Sequence, residues 1–576
     1  MNTLIKDLYP SKAQYIKGEN VDIMLELANG GSMESVFLVE LRVSFLSELI
    51  STFKKEIALQ SKEYKKVTME LQSYNDDFRG YGVDIFVWQE GSLIDTRSTS
   101  FDVVADWRKA ARYGFLSDFN ASDEGDSTDV ECLSKLHLNM IQFYDWMYRH
   151  DNLIPEGDIF TDLMGRELSY KVVKEKISLC QKLGMKTFAY GAVYAASKDF
   201  FEQHKDWALY GSSGNPLSLS ETFYIMNISI DSPWHKHIIE QYENAIHKAN
   251  FDGIHMDTYG FPKSAVSRLN GIKRIERLQE HFPMLIDNTK HALNAIKPDN
   301  GLIFNNVGNW PVALTAGVVD AIYIEVWNPY ERYHHIQQLI REAKAADANK
   351  PVVLAAYLKP FQMKDDEGVK GAEAAMRILT AAIVSNGGYH LVLGESRGIL
   401  TQGYYAAYSK LKDEFFSIVR SYYDFIVRYS NIFYDNELTD VSMTHLCGDN
   451  EEYIVETNDF STYGEPDKVW VTVKEKSNLK YINFVNLKGN LEDYWNKGKF
   501  EPIIKKDLRI DLEIQKEVKA VYAASPDYGM GRPTLLEYDI VDGIRSKKLS
   551  IVMPDIYYWS ILVVEFHENS EEEMRL

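Results

Sequence analysis

The chain has 576 residues, of which 45% are hydrophobic and 26% are charged, an ordinary globular composition that excludes a disordered or fibrous protein. The 84 acidic residues exceed the 63 basic residues, so the net charge is −21. Such a surface repels phosphate backbones and anionic membranes, which argues against nucleic acid as a partner and favours a neutral ligand. At about 150 residues per domain, the length predicts three or four domains.

Residues 1–104 have the pattern of an all-β domain. Apolar and polar residues alternate along four segments, and Gly30-Gly31 and Asn75-Asp76-Asp77 supply turns between them. Short strands at this spacing predict a small N-terminal immunoglobulin-like β-sandwich. The four predicted strands are Val21–Leu27, Val36–Phe45, Lys66–Leu71 and Tyr81–Gln89.

Residues 105–430 change to apolar strand-like runs that alternate with amphipathic helical stretches such as Trp234–Ala249. Eight such runs over this length predict a central (β/α)8 TIM barrel, with a doubly wound open sheet as the alternative. No GxGxxG and no Walker A motif occurs, so the alternative lacks its usual phosphate loop. The eight predicted strands are Tyr113–Phe119, Met140–Trp146, Lys186–Tyr190, Phe251–Asp257, Leu302–Asn306, Ala321–Trp327, Pro351–Tyr357 and Tyr389–Gly394.

From residue 431 to residue 576 the apolar period returns to two, which predicts a C-terminal antiparallel β-sandwich. Cys132, Cys180 and Cys447 lie far apart and are odd in number, so we expect free thiols rather than a disulfide framework or zinc site. The first residues contain no signal peptide and no apolar run approaches ~20 residues. We therefore expect a monomer without membrane insertion, cytoplasmic as the sequence stands or secreted if a signal was removed.

In a barrel of this kind the active site lies at the carboxyl ends of the strands. The residues there are acidic, aromatic or amide, without Lys or Arg, which suits a neutral, hydroxyl-rich ligand such as a sugar. No HExxH, no GxSxG and no His–carboxylate set at ligand spacing occurs, so we expect neither a metal nor a cofactor. The candidate residues are Asp118, Tyr144, Asp145, Tyr190, Asp257, Asn306, Glu325, Tyr357 and Glu395.

Asp257 and Glu325 are the strongest candidates for catalysis. Each ends an apolar strand, and each is followed by loop-forming residues. Glycoside hydrolysis requires two carboxyl groups that flank the scissile bond. A carboxylate at the end of an apolar strand costs folding free energy, so its presence there suggests a function. The structural alternative for each acid is an ion pair or a capping role for the next helix.

Two further residues share strand faces with these acids. His255 lies on the same face as Asp257 because side chains alternate, and it could orient the nucleophile or be an ordinary core histidine. Trp327 shares a face with Glu325 and could be a sugar platform or a packing residue. The long segment after the third strand, residues 191–224, carries five aromatic residues that could wall a cleft or form a satellite core.

Four blocks of the sequence resemble glycoside hydrolase family 66, the dextranases and cycloisomaltooligosaccharide glucanotransferases. Their order, and the 68 residues between Asp257 and Glu325, also match, and the similarity spans the whole chain. The blocks are MIQFYDWMYRHDNLIP (Met140–Pro155), FDGIHMDTYG (Phe251–Gly260), AIYIEVWN (Ala321–Asn328) and GGYHLVLGE (Gly387–Glu395).

The resemblance implies a role for individual residues. Asp257 matches the family's nucleophile and Glu325 its general acid/base. Tyr144, Asp145 and Trp146 match the block that lines the cleft near the cleaved bond. Glu395 matches an acidic position after the last strand, although Ser396-Arg397-Gly398 departs from the family pattern.

The resemblance also implies the substrate, an α-1,6-glucan such as dextran or isomaltooligosaccharides. Cyclising members carry a large carbohydrate-binding insertion in the barrel, whereas Leu358–Gly388 is too short an interval to hold one. We therefore expect a retaining endo-dextranase that yields isomaltooligosaccharides through a covalent glycosyl-enzyme. The alternatives are a cyclising or transferring α-1,6-glucan transglycosylase, and a non-catalytic glucan-binding protein built on a degenerate barrel.

Overall fold

The computed structural model describes residues 4–446 and 449–567, which form three groups of β-sheet along one chain. Cys132 and Cys180 are free thiols, whereas Cys447 lies outside the described residues. Within the described residues, no helix is long and apolar enough to cross a membrane.

Residues 5–104 form a three-stranded and a five-stranded sheet that share one hydrophobic cluster. Each of the four strands predicted in this region lies inside an observed strand, because alternating residues point to opposite faces and only one face enters the cluster. The smaller sheet contains Ile5–Pro10, Asn20–Ala28 and Tyr64–Ser73, and the larger contains Tyr15–Ile16, Ser35–Phe45, Glu48–Leu59, Phe78–Gln89 and Ser92–Val104.

The central region contains eight parallel strands, which pair in the order in which they occur along the chain. All eight are almost wholly buried along their length, so their sequences are continuous apolar runs rather than alternating ones. We number them β1 (Tyr113–Leu116), β2 (Met140–Phe143), β3 (Lys186–Ala192), β4 (Gly253–Asp257), β5 (Gly301–Val307), β6 (Ala321–Glu325), β7 (Val352–Ala355) and β8 (Gly388–Leu391, continued by Leu393–Gly394).

The sheet curls strongly, because its last strand is paired at both edges. Gly388–Leu391 pairs with β7, and the continuation Leu393–Gly394 pairs in parallel with β1. Gly394 lies opposite Phe115 of β1, and a Cβ atom at Gly394 would come within 2.3 Å of that ring. The close approach of the two strands therefore requires glycine at this position. This curled parallel sheet is consistent with a barrel.

A helix follows each of the first seven central strands before the next central strand, and another follows β8 before the C-terminal region. The helix predicted from Trp234 begins at Pro233, and the Ser232 side chain accepts a hydrogen bond from the Trp234 amide as its N-terminal cap. The helices are Thr128–Lys135, Tyr170–Lys182, Pro233–Asn244, Leu278–Ile296, Val312–Thr315, Tyr333–Ala346, Asp366–Ser385 and Asp413–Arg428.

The C-terminal region contains two sheets around another hydrophobic cluster, and their strands pair antiparallel except for the short strand Phe460–Ser461. Their longest strands, Val469–Lys476, Leu479–Asn486 and Trp559–Phe566, are neighbours in one sheet. That sheet also contains Val518–Ala524 and the short strands Thr439–Asp440, Phe460–Ser461 and Thr534–Leu535, and the other contains Tyr453–Val455, Arg509–Glu513, Tyr538–Asp542 and Lys547–Val552.

Four central strands end earlier than the sequence predicts. The strands expected to reach Phe119, Trp146, Trp327 and Tyr357 end at Leu116, Phe143, Glu325 and Ala355. Phe119, Trp146 and Tyr357 are nevertheless buried, although they lie outside the strands. An apolar run therefore marks burial, which extends beyond the hydrogen-bonded ladder.

Candidate active site

A cavity of about 400 Å³ opens at the carboxyl ends of the central strands. Both Asp257, the last residue of β4, and Glu325, the last residue of β6, line it. The parallel arrangement brings these strand ends to one edge of the sheet although the acids lie far apart in sequence. Six of the other predicted site residues also line it: Tyr144, Asp145, Tyr190, His255, Trp327 and Tyr357.

The two acids are joined by a single amide group. Asn305 Nδ2 donates to Asp257 Oδ1 at 2.7 Å and to Glu325 Oε2 at 3.0 Å. Because both distances meet at one nitrogen, the two carboxylate oxygens lie within about 5.7 Å of each other. Two carboxyl groups this close can act on one glycosidic bond, one attacking the sugar carbon while the other protonates the leaving oxygen.

Each acid also accepts a hydrogen bond from a buried tyrosine. The Tyr190 hydroxyl donates to Asp257 Oδ2 at 2.6 Å, and the Tyr357 hydroxyl donates to Glu325 Oε1 at 2.7 Å. With Asn305 on the other oxygen, both oxygens of each carboxyl group have a protein donor. The carboxyl planes are therefore fixed before any ligand is present.

Burial, and then the neighbouring Glu325 carboxylate, raise the pKa of Asp257 to about 7, against the opposing effect of the hydrogen bonds from Tyr190 and Asn305. Asp257 therefore keeps its proton up to near neutral pH in the free protein. The sequence does not reveal that Asp257, the candidate nucleophile, is more deeply buried than Glu325.

His255 lies on the floor of the cavity and is almost completely buried. Its Nδ1 is 2.8 Å from the Tyr113 hydroxyl, and its ring stacks on Tyr190 at 6.0 Å. Burial lowers the pKa of His255 to about 3, so the ring is neutral at physiological pH. Its contacts reach Asp257 through Tyr190 and make it a support for the site.

The aromatic wall contains residues of two kinds. Trp327 stands at the rim with 44% of its surface exposed, against the edge of Tyr357. Tyr144 is buried and lies between the rings of Tyr190 and Tyr405, at 4.7 Å and 4.6 Å. A sugar ring could therefore reach the Trp327 face directly, whereas Tyr144 presents only part of its surface.

Asp145 is a third acid of the cavity and is held in an unusual backbone conformation. Its φ is 47°, in the left-handed region, and its carbonyl accepts a hydrogen bond from Arg166 Nη2 at 2.7 Å. Burial raises the pKa of Asp145 to about 7, and the Arg166 charge opposes that shift. The hairpin that carries Arg166, Ile159–Thr161 with Glu167–Ser169, thus fixes this acid at the mouth.

Four of the predicted binding residues do not line the cavity. Trp146 is fully buried against Phe251, with its indole donating to the Tyr190 carbonyl. Asn306 points away from the cavity and accepts a hydrogen bond from the Thr315 hydroxyl, because β5 continues to Val307 and alternation turns Asn305 inward. Of the two adjacent asparagines, Asn305 lines the cavity and the predicted Asn306 does not.

The remaining two, Asp118 and Glu395, lie at the seam between β1 and β8. Glu395 is fully buried and its Oε1 accepts hydrogen bonds from the Ser117 amide and hydroxyl and from the Asp118 amide. The Asp118 side chain is exposed and its carbonyl binds Lys176. Both residues therefore brace the seam where the sheet meets itself, instead of lining the cavity.

The long segment after β3 contributes a lip, Leu219, Ser220 and Phe223, to the cavity. The aromatic residues of this segment pack against one another and against the following helix. Phe201 stacks on Tyr224, and Phe200 packs between Trp207 and Trp234. These residues pack into or against the central hydrophobic cluster, so they serve packing, as in the structural alternative, but without forming a separate satellite core.

Two residues of the site were missed from the sequence. Asn305 would have been found from strand parity if the end of β5 had been placed one residue later, at Val307. Tyr405, which lines the cavity and contacts Tyr357 and Tyr323, lies in a segment after β8 that has no strand or long helix pattern. In the described ranges, no group of three or more His, Cys, Asp or Glu side chains is arranged to hold a metal ion.

A family model described as glycosyl hydrolase family 66 matches residues 10–563. The chain belongs to glycosyl hydrolase family 66. The family assignment made from the four sequence blocks is thereby confirmed.

Two cycloisomaltooligosaccharide glucanotransferases of Niallia circulans are similar to this family 66 chain, at 22% and 23% identity. Each alignment covers 97% of this chain and 72% of the relative. The solved structure of a Paenibacillus sp. cycloisomaltooligosaccharide glucanotransferase complexed with cycloisomaltoheptaose has a TM-score of 0.88 at 21% identity, covering 97% of this chain and 99% of that chain. This likeness shows that the two proteins share a fold.

Proposed function

We propose that this protein cleaves α-1,6-glucans by a retaining, two-step mechanism and transfers the released glucosyl chain to an acceptor hydroxyl. The observation that carries the proposal is the Asn305 bridge, which keeps the oxygens of Asp257 and Glu325 within about 5.7 Å. Retaining glycosidases have carboxyl groups about 5–5.5 Å apart, whereas inverting enzymes need about 6.5–9.5 Å to admit a water molecule.

Asp257 is the nucleophile of the first step. Its carboxylate attacks the anomeric carbon of an α-1,6-linked glucose, the bond to the glycosidic oxygen breaks, and Glu325 gives its proton to that oxygen. The products are a glycosyl ester on Asp257 and an ionised Glu325. Since the pKa of Asp257 is raised to about 7, this carboxyl group has to lose its proton before it can attack.

Glu325 is the base of the second step. It takes the proton of an acceptor hydroxyl, whose oxygen attacks the anomeric carbon and releases the Asp257 carboxylate. Two inversions at one carbon return the α configuration. An acceptor hydroxyl from sugar gives transfer or cyclisation, and one from water gives hydrolysis.

The relatives favour transfer over the endo-dextranase activity expected from the sequence. Both curated relatives are cycloisomaltooligosaccharide glucanotransferases, and no dextranase is among the matches described above. Cyclisation is intramolecular transfer, so it needs only that the non-reducing end of the same glucan reach the glycosyl-enzyme. We therefore place the transglycosylase first.

Endo-hydrolysis remains the second candidate, and one observation favours it. The alignments extend over 711 and 714 positions against a chain of 576 residues, so the relatives contain segments that this chain lacks. The interval between β7 and β8 is filled by a short turn and the helix Asp366–Ser385. A carbohydrate-binding insertion at that place, which the resemblance associates with cyclising members, has no counterpart here.

The architecture that would support this function is a closed (β/α)8 barrel over residues 105–430. We propose that β-sandwiches at residues 1–104 and 431–576 brace it, since each flanking pair of sheets has its own hydrophobic cluster. In the barrel, Tyr144, Asp145, Tyr190, His255, Trp327 and Tyr357 form the glucan-binding surface, whereas Asp118, Trp146, Asn306 and Glu395 support it.

Product analysis tests the proposal. The protein is incubated with dextran, and separately with pullulan and starch, and the products are separated and weighed by mass spectrometry. Transfer predicts oligosaccharides longer than the donor or cyclic products, which are one water lighter than the linear ones, whereas hydrolysis predicts linear isomaltooligosaccharides alone. Cleavage of starch or pullulan without cleavage of dextran would contradict the substrate class.

Two variants test the residue roles in the same assay. Asp257→Ala and Glu325→Gln are expected to fold normally and to lose turnover of dextran by about 10³-fold or more, because each removes one half of the mechanism. Asn306→Ala, which changes the neighbouring amide that points away from the cavity, is the matched control for the site. Near-normal kcat in either acid variant would refute the assignment of that acid.

A further inference from the structure

A chain of three buried tyrosine hydroxyls ends on the proposed acid/base. The Tyr323 and Tyr405 oxygens are 2.8 Å apart, the Tyr405 and Tyr357 oxygens are 3.3 Å apart, and Tyr357 donates to Glu325 Oε1 at 2.7 Å. All three rings are at least nine-tenths buried. We call Tyr323, Tyr405 and Tyr357 the hydroxyl chain.

The direction of the hydroxyl chain is set by the charge at its end. Each hydroxyl has one proton, so an ionised Glu325 accepts from Tyr357, which leaves the Tyr357 oxygen free to accept from Tyr405 and the Tyr405 oxygen free to accept from Tyr323. Hydrogen bonds aligned in one direction polarise one another and strengthen the last bond. The hydroxyl chain therefore stabilises the ionised form of Glu325.

Tyr405 is the link that does not belong to the strands. It comes from residues 401–408 after β8, which we call the 401–408 segment, whereas Tyr323 lies on β6 and Tyr357 follows β7. Its ring stacks on Tyr144 at 4.6 Å with an interplanar angle of 17°, and packs on Phe115 at 5.3 Å. The packing holds the Tyr405 hydroxyl between the other two.

We propose that Tyr405 is a positioning residue that acts through Tyr357 to stabilise Glu325 as the base of the second step. The inference rests on the proposed two-step function. The titratable groups that face Glu325 are Asp257 from β4, Tyr323 from its own strand, Tyr357 and Tyr405. Among the described residues no Lys or Arg forms an ion pair with Glu325. Its two oxygens accept hydrogen bonds from the Tyr357 hydroxyl and from Asn305 Nδ2.

Tyr405→Phe tests this role because it removes the hydroxyl and keeps the ring that stacks on Tyr144. Glycosylation of the enzyme by an isomaltosyl fluoride needs little acid assistance, so kcat with this substrate reports the base-assisted second step. On the fluoride we expect kcat to fall about tenfold, and KM to fall with it because the glycosyl-enzyme accumulates. On dextran we expect the basic limb of the pH profile of kcat/KM to move up by about half a pH unit.

Tyr408→Phe is the matched control. Tyr408 is in the same 401–408 segment and also packs on Phe115, at 5.6 Å, but its hydroxyl is no part of the hydroxyl chain. We expect Tyr408→Phe to leave kcat, KM and the pH profile within about twofold of the unmodified protein. Thermal unfolding of both variants checks that each is folded.

The outcomes separate this inference from the proposed function. Tyr405→Phe with an unchanged basic limb and unchanged kcat on the fluoride overturns the positioning role, while an inactive Glu325→Gln still supports the acid/base. Equal losses in Tyr405→Phe and Tyr408→Phe without a shift of the limb also overturn it, since they indicate a packing effect. Turnover by Glu325→Gln would instead overturn the function on which the inference rests.

Discussion

Asp257 illustrates at the scale of one residue how a reactive group opposes folding. Burial and the charge of Glu325 raise the pKa of Asp257 to about 7, so the folded protein holds a proton there that the unfolded chain releases near pH 4. Between these two values the folded state binds more protons than the unfolded state. Stability contributed by this group is therefore present at acidic pH and lost as the pH rises towards 7.

Asp257→Asn should stabilise the protein while abolishing its activity. The neutral amide avoids the buried charge and can still bond to Tyr190 and Asn305. We expect the Tm of the variant at pH 8 to exceed that of the unmodified protein by about 1–3 °C, and the difference to vanish near pH 4. Calorimetric scans at both pH values measure this, and a variant that is less stable at pH 8 would contradict the account.

The residue scale also shows what sequence could and could not reveal. Asp257 and Glu325 were found because each closes an apolar run, where an unused carboxylate is costly. Asn305 was missed in favour of Asn306, because a strand end misplaced by one residue exchanges the face that is expected to turn inward. Hydrogen bonds that join three strands, such as those of Asn305, leave no periodic signal in any one strand.

At the scale of elements, the 401–408 segment shapes the cavity most closely. Gly403 approaches the acid so tightly that a Cβ atom there would lie 3.2 Å from Glu325 Oε1 and 3.3 Å from the Trp327 ring. The Tyr144 hydroxyl also donates to the Gly403 carbonyl at 3.4 Å. The segment thus forms a wall of the cavity that packs closely against both Glu325 and Trp327.

Gly403→Ala should impair catalysis more than stability. The added methyl group must displace either the Glu325 carboxyl group or the Trp327 ring by a few tenths of an ångström, and misplaced reacting groups lose rate steeply. We expect kcat on dextran to fall about tenfold with little change in Tm. Gly317→Ala, where a Cβ atom meets nothing within 4 Å, is the control, and equal activity of the two variants would show that the wall does not constrain the site.

The elements that were predicted well are those in which buried residues follow a regular pattern along the sequence. Alternation identified the N-terminal strands, and continuous apolar runs identified all eight central strands, because one face or both faces are buried. The 401–408 segment and the hairpin that carries Arg166 have no such period. Their positions depend on contacts with distant elements, such as the bond from Arg166 to the Asp145 carbonyl.

At the scale of the whole molecule, one buried acid joins all three regions. Asp84 lies in the N-terminal five-stranded sheet. Its carboxylate accepts hydrogen bonds from Nη1 and Nη2 of Arg428, at 3.0 Å and 2.8 Å, and from Nε of Arg532, at 3.1 Å. Arg428 ends the helix Asp413–Arg428, and Arg532 belongs to the C-terminal region. A Cβ atom at Gly82 would lie 2.2 Å from the Arg428 guanidinium, so the contact admits no larger residue.

Asp84→Ala should loosen this junction. The change leaves the Arg428 guanidinium buried without its partner, which costs about 3–5 kcal/mol for a buried ion pair. We expect a lower Tm and unchanged kcat in the protein that remains folded. Asp77→Ala, which breaks the exposed pair with Lys17, should leave the Tm unchanged, and a similar Tm for both variants would show that the junction does not hold the regions together.

The most direct test of the central claim is the configuration of the first product. Freshly dissolved isomaltooligosaccharide is mixed with the protein, and the first new anomeric signal is followed by proton NMR before mutarotation. Two displacements through Asp257 predict an α signal, whether the acceptor is water or a sugar hydroxyl. A β signal appearing first would mean a single displacement, and would contradict the assignment of Asp257 as the nucleophile.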